Sequence, residues 1–93
     1  MDKTESIIHR AAKAESIMAD PVMIEAKAHI DAELWRLFRS TVPTDTEALS
    51  QVRGMQYMHD KYLAFLRQAI QDGKIARMDL ERKKKSMKER LFG

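Results

Sequence analysis

The chain has 93 residues, no cysteine, three glycines, two prolines, 33% charged side chains and a formal net charge of +3. That length holds one domain at most, the missing cysteines exclude a disulfide framework, a thiolate metal site and a cysteine nucleophile, and no apolar run approaches the ~20 residues that cross a bilayer. Abundant Ala, Leu, Met, Glu, Lys and Arg with so little Gly and Pro indicate an all-α protein, soluble and suited to a reducing compartment.

The amino terminus, Met1 to Glu5, lacks a positive region followed by a long apolar run, so no signal peptide is expected. The first helix should run from Thr4 to Ala19, with Thr4 as its cap and Glu5 at its positive end. Ile7, Ala11, Ala14 and Met18 recur at helical spacing, giving a thin, Ala-rich face.

Asp20-Pro21 is a boundary. Proline disfavours helical geometry just before it but suits the first helical position after a cap. Asp20 should therefore cap a second helix running from Pro21 to about Val42. Its apolar sector holds Met23, Ile24, Ala28, Ile30, Leu34, Trp35, Leu37 and Phe38, with Asp31 the one charge inside it. Glu25, His29, Arg36 and Arg39 lie opposite.

Pro43 ends that helix. Thr44-Asp45-Thr46-Glu47 then has the spacing of a capping box, with the Thr44 hydroxyl and the Glu47 carboxylate satisfying each other's amides. So short a connection makes the flanking helices antiparallel. The third helix should run from Asp45 to Asp72, with Gly73 as its stop. Ala48, Met55, Tyr62 and Ala69 form one row. Val52, His59 and Leu66 form a second, and Leu49, Leu63 and Ile70 a third that Gln56 interrupts. Met58 and Phe65 flank them. These rows fill more heptad positions than a two-helix seam uses.

Each long helix thus has more apolar surface than one antiparallel partner covers. Helix 1 can cover part of it, and a second copy is the natural cover for the rest, giving a homodimer that forms a four-helix-like bundle, or a larger ring. Trp35, Phe38, Met55, Met58, Tyr62 and Phe65 are the candidate interface residues. For Trp35 and Phe38 the competing expectation is intramolecular packing against Leu49 and Val52 across the turn. If they are fully buried there, alanine at either position should cost roughly 3–5 kcal/mol.

From Lys74 to Gly93 there are eight Lys/Arg and three Asp/Glu, a net +5; the rest of the chain carries −2. Ile75, Met78, Leu80, Met87 and Leu91 are spaced loosely as a helix needs. Arg82-Lys83-Lys84-Lys85 sets four like charges side by side, which repel. A continuing or separate solvated helix is expected. The fold reading is therefore an antiparallel hairpin of two long helices with a shorter N-terminal helix (1–73), followed by a basic helix or tail (74–93). Arg82, Lys83, Lys84, Lys85, Lys88 and Arg90 could neutralise phosphates without reading sequence, though a merely solvated tail explains them too. Only Phe92 is aromatic there, so base stacking is not supported.

Catalytic and metal chemistry find little to stand on. Glu25, His29 and Glu33 fall at i, i+4 and i+8, and carboxylate with imidazole is ligand chemistry. A solvated charged face accounts for them equally, and the paired Glu-x-x-His signature of di-iron bundles is absent. His59 lies in the apolar stripe, where a satisfied core or interface histidine, with Tyr62 as partner, is favoured over a pH switch. There is no Gly-rich phosphate loop, nucleophile elbow or calcium loop. No enzyme, metal or cofactor is expected.

The runs Ala19-Asp20-Pro21-Val22, Ile30-Asp31-Ala32-Glu33-Leu34-Trp35-Arg36 and Thr41-Val42-Pro43-Thr44-Asp45-Thr46-Glu47-Ala48, with Gly73-Lys74-Ile75, resemble small helical proteins of tailed bacteriophages, commonly encoded among head and packaging genes. The resemblance spans residues 14–76 and leaves out the basic end from Arg82. It implies a phage origin and a non-enzymatic role in virion assembly or genome handling. Phage structural proteins would be the partners, and the host cytoplasm or the virion the location. It carries over no active-site residue. The alternatives are a sequence-independent nucleic-acid-binding accessory protein and a small inhibitor of a host protein.

Overall fold

The computed structural model describes residues 2–92. Among them are three α-helices and no strand: α1 (Lys3–Ala19), α2 (Pro21–Ser40) and α3 (Thr46–Phe92). The all-α expectation holds, while the helix ends differ in ways that have local physical causes.

Asp2, not Thr4, caps α1. Its carboxylate accepts from the Glu5 amide at 2.8 Å and its carbonyl from the Ser6 amide at 3.0 Å. Asp20 caps α2 as expected, accepting from the amides of Val22 (2.9 Å) and Met23 (3.1 Å), with Pro21 at the first helical position. The second helix stops at Ser40, two residues before Val42. Pro43 restricts Val42, and Thr41 turns extended while its hydroxyl and amide both donate to the Leu37 carbonyl, at 2.6 and 3.1 Å.

The cap of α3 is Asp45 rather than Thr44. Asp45 Oδ1 accepts from the Ala48 amide at 3.1 Å, and its carbonyl accepts from the Leu49 amide at 3.1 Å. A carboxylate caps at least as well as a threonine hydroxyl and adds a negative charge at the positive helix end. Asp45→Ala should therefore lower the unfolding free energy by about 1 kcal/mol, and Thr44→Ala by less than ~0.5 kcal/mol, in urea titrations. The reverse order would restore the Thr44 box.

Gly73 does not stop the third helix. α3 continues through it to Phe92, so the basic segment belongs to α3 instead of forming a separate helix or a frayed tail. No described glycine has a positive φ. Gly73 instead permits a close approach: a Cβ there would fall 2.1 Å from the Ala11 Cβ of α1.

The chain divides into two compact units. In one, α1 up to Ser16 packs on α3 from Leu66 onward. Its core is small: Ala11 (1% exposed) and Ala14 meet a seam of Leu66, Ala69, Gly73 and Ala76. These fall at alternating spacings of three and four, as a two-helix seam requires. The other unit, residues 17–65, holds α2 and the first part of α3. Val52 and Leu63 are buried there, whereas α2 buries no residue fully.

Candidate interaction surfaces

Trp35 and Phe38 are not core. Trp35 is 60% exposed, and Phe38 is exposed as well. One turn apart on α2, their rings stack at 6.0 Å between centroids and 18° between planes. They line a cleft with Asp31, Leu34, Gln56, His59 and Asp60. The expected neighbours, Leu49 and Val52, do not line it. Val52 is already buried at the foot of α3, and the aromatic pair projects from the flank of α2, beside its half-buried line of Met23, Leu34 and Leu37.

The floor of this cleft is polar. His59 Nε2 lies 2.9 Å from Asp31 Oδ1, and Lys27 Nζ lies 3.2 Å from Asp31 Oδ2. Asp31, not Tyr62, is therefore the partner of His59. The signal was present in the sequence: one carboxylate stood inside the apolar sector of α2 and one imidazole inside that of α3. The Lys27 ammonium first, and His59 second, hold the Asp31 carboxyl below the usual aspartate range against some desolvation. A depressed folded pKa adds stability that is present above the ordinary aspartate pKa of 3.8 and is lost as the pH falls through the folded value. Acid titration of wild type should thus lose an increment below about pH 4 that Asp31→Asn does not lose. Asp31 is about half exposed (49%), so solvent screening keeps that increment under ~1 kcal/mol. Identical acid profiles would show that the contact carries no charge-dependent stability.

On α3, Met55, Met58, Tyr62 and Phe65 follow the 3-4-3 spacing of a coiled-coil seam. All four are exposed, Met58 and Phe65 at 66%. At about 100° per residue they occupy an ~80° strip, centred roughly 100° round the helix from the Val52–His59–Leu63 line. Gln56 and Asp60, which line the Trp35–Phe38 cleft, are roughly half a turn from Phe65 and Met58 respectively. The six candidate interface residues are therefore two surfaces and not one. Sequence rows showed a wide apolar band on α3 but not which part of it the chain itself covers.

Glu25, His29 and Glu33 do not come together: among the described residues no three His, Asp or Glu side chains are placed to hold a metal ion. Glu33 is instead engaged by the Arg36 guanidinium, which holds its carboxyl below the usual range. Arg82, Lys83, Lys84, Lys85, Lys88 and Arg90 are all exposed on the last turns of α3. No helix is long and apolar enough to cross a membrane among the described residues.

No protein-family model matches the chain. No curated protein and no solved structure matches it either.

Proposed function

We propose that this is a non-enzymatic, homo-oligomeric helical protein that acts through protein contacts. The Met55–Met58–Tyr62–Phe65 strip forms the seam between copies. One observation carries the reading: four large apolar side chains stand at heptad spacing, exposed, on a helix whose other apolar line is already buried. Leaving such a strip in water costs roughly 25 cal/mol per Å² of apolar surface, and a two-fold axis lets the same strip cover itself.

Within each copy, α2 and the first part of α3 form an antiparallel hairpin, so two copies make a four-helix bundle. The support is the pattern of contacts. Met23, Ile24 and Lys27 share a groove with Leu63, Asp31 meets His59, and Trp35 and Phe38 share a cleft with Gln56. Residue numbers rise along α2 as they fall along α3. The resemblance noted in the sequence over residues 14–76 would make virion assembly or genome packaging the setting, with phage structural proteins as further partners.

Sedimentation velocity across micromolar concentrations should give the mass of a dimer or larger oligomer. Met58→Glu with Phe65→Glu should give a folded monomer, raising the dissociation constant at least ~30-fold, as loss of an interface hot spot does. A wild-type chain that stays monomeric throughout, or a double variant that assembles like wild type, ends the proposal.

A further inference from the structure

Because α3 is continuous through Gly73, residues on both sides of that glycine share one helical phase. At about 100° per residue, Arg67, Lys74, Arg77, Lys84, Lys85 and Lys88 fall within one ~100° sector. All six are exposed. Glu81 is the one carboxylate in the sector. The stripe runs about 32 Å along the axis at 1.5 Å per residue.

The other side of the same stretch is different. There Asp72 and Asp79 line a groove with Asp2 and Glu5 of α1, and Arg82 and Lys83 belong to that groove. Four carboxylates thus share a groove with Arg82 and Lys83, two of the four cations in the Arg82–Lys85 run. Arg90 falls on the same side by helical phase. The basic character of the C-terminal half of α3 is therefore one-sided. It includes residues before Gly73 and leaves out part of the Arg82–Lys85 cluster.

We propose that this stripe is a sequence-independent binding surface for the phosphate backbone of duplex DNA. Its six cations stand against one carboxylate, and its length is close to one turn of B-form duplex, about 34–36 Å. Duplex DNA carries one negative charge per about 1.7 Å of axis, so a line of cations on that scale meets several phosphates at once. The sector has no aromatic side chain before Phe92, which sets it apart from single-strand sites built on base stacking. A membrane surface fits less well. An interfacial helix must lay a continuous apolar face into the lipid; here the seam from Leu66 to Ala76 is buried, and the exposed apolar residues are split between Ile75 and Met78 on one flank and Met87 and Leu91 near the end.

The inference is independent of the oligomer seam, which uses other residues. The test compares two triple variants of the full chain that remove equal charge. One is Arg77→Gln, Lys84→Gln, Lys88→Gln; the other is Arg82→Gln, Lys83→Gln, Arg90→Gln. Binding to a 30-base-pair duplex is followed by fluorescence anisotropy from low to moderate salt, with helix content checked by circular dichroism. Wild type should bind with a log–log salt slope of about −5, at roughly −0.9 for each of six phosphate contacts, unchanged between duplexes of different sequence. The first triple should weaken binding at least tenfold and flatten the slope by roughly 3, at one phosphate contact per cation removed. The second should change affinity less than threefold. Equal losses from both would mean that net charge, not the stripe, is responsible. No wild-type binding at low salt, or binding to phosphatidylserine vesicles without binding to duplex, would likewise overturn the proposal.

Discussion

Replacing Gly73 with alanine should lower the unfolding free energy by about 1–2 kcal/mol, while the same change at Gly54 should raise it by about 0.5–1 kcal/mol. Both glycines lie inside α3, where glycine costs roughly 1 kcal/mol relative to alanine in helix propensity. Only that gain acts at Gly54, because a Cβ there meets nothing within 4 Å. At Gly73 the new Cβ would sit 2.1 Å from the Ala11 Cβ, too close for any rotamer change to relieve. The atom it meets is itself a Cβ, so α1 must move away from α3. Gly73→Leu should cost more than ~3 kcal/mol, since overpacking then adds to the loss of the Ala11–Ala14 seam. Ala11→Gly in the Gly73→Ala background should recover part of the loss, and that recovery is the measurement that isolates the contact. Stabilisation by Gly73→Ala matching that of Gly54→Ala would show that α1 does not approach α3 there.

Leu63→Ala should cost about 2–3 kcal/mol in chemical denaturation, and Trp35→Ala less than ~1 kcal/mol. The ranking inverts what side-chain size suggests. Leu63 is buried against α2, so its loss opens a cavity in a thin core. Trp35 is mostly exposed, with only Phe38 stacked beside it and the cleft in front. A loss of several kcal/mol from Trp35→Ala would mean that a second chain covers the Trp35–Phe38 cleft under the conditions of the measurement. Sedimentation of the same samples tells a folding loss from an assembly loss.

The helix caps show how far local sequence reaches. Asp20-Pro21 was fully legible, because a good cap followed by proline leaves one favourable arrangement. At Thr44-Asp45 two adjacent residues could each cap, and one-residue differences in where a helix starts are decided by which side chain reaches the free amides. Asp2 against Thr4 is the same competition. Gly73 is the clearest failure of local reasoning. Glycine after a long amphipathic run is a common stop signal, yet the same residue also fits where another helix must come close. Nothing within the neighbouring residues separates those roles; the Ala11 of another helix does.

The interaction surfaces divide in a similar way. That α3 carries more apolar residues than one partner needs was visible from its heptad rows. Which rows the chain covers was not, since a row is buried only by the helix that lies on it. The sequence by itself determined the helices, their Asp20-Pro21 and Pro43 boundaries, and the excess of apolar and basic side chains, because those follow from local propensity and periodicity. Tertiary structure alone decided the rest. It buried Val52 and Leu63 and left Met58 and Phe65 exposed, paired Asp31 with His59, and turned Gly73 from a stop into a contact. Each of these depends on which helix lies opposite, and a single helix's sequence does not contain that.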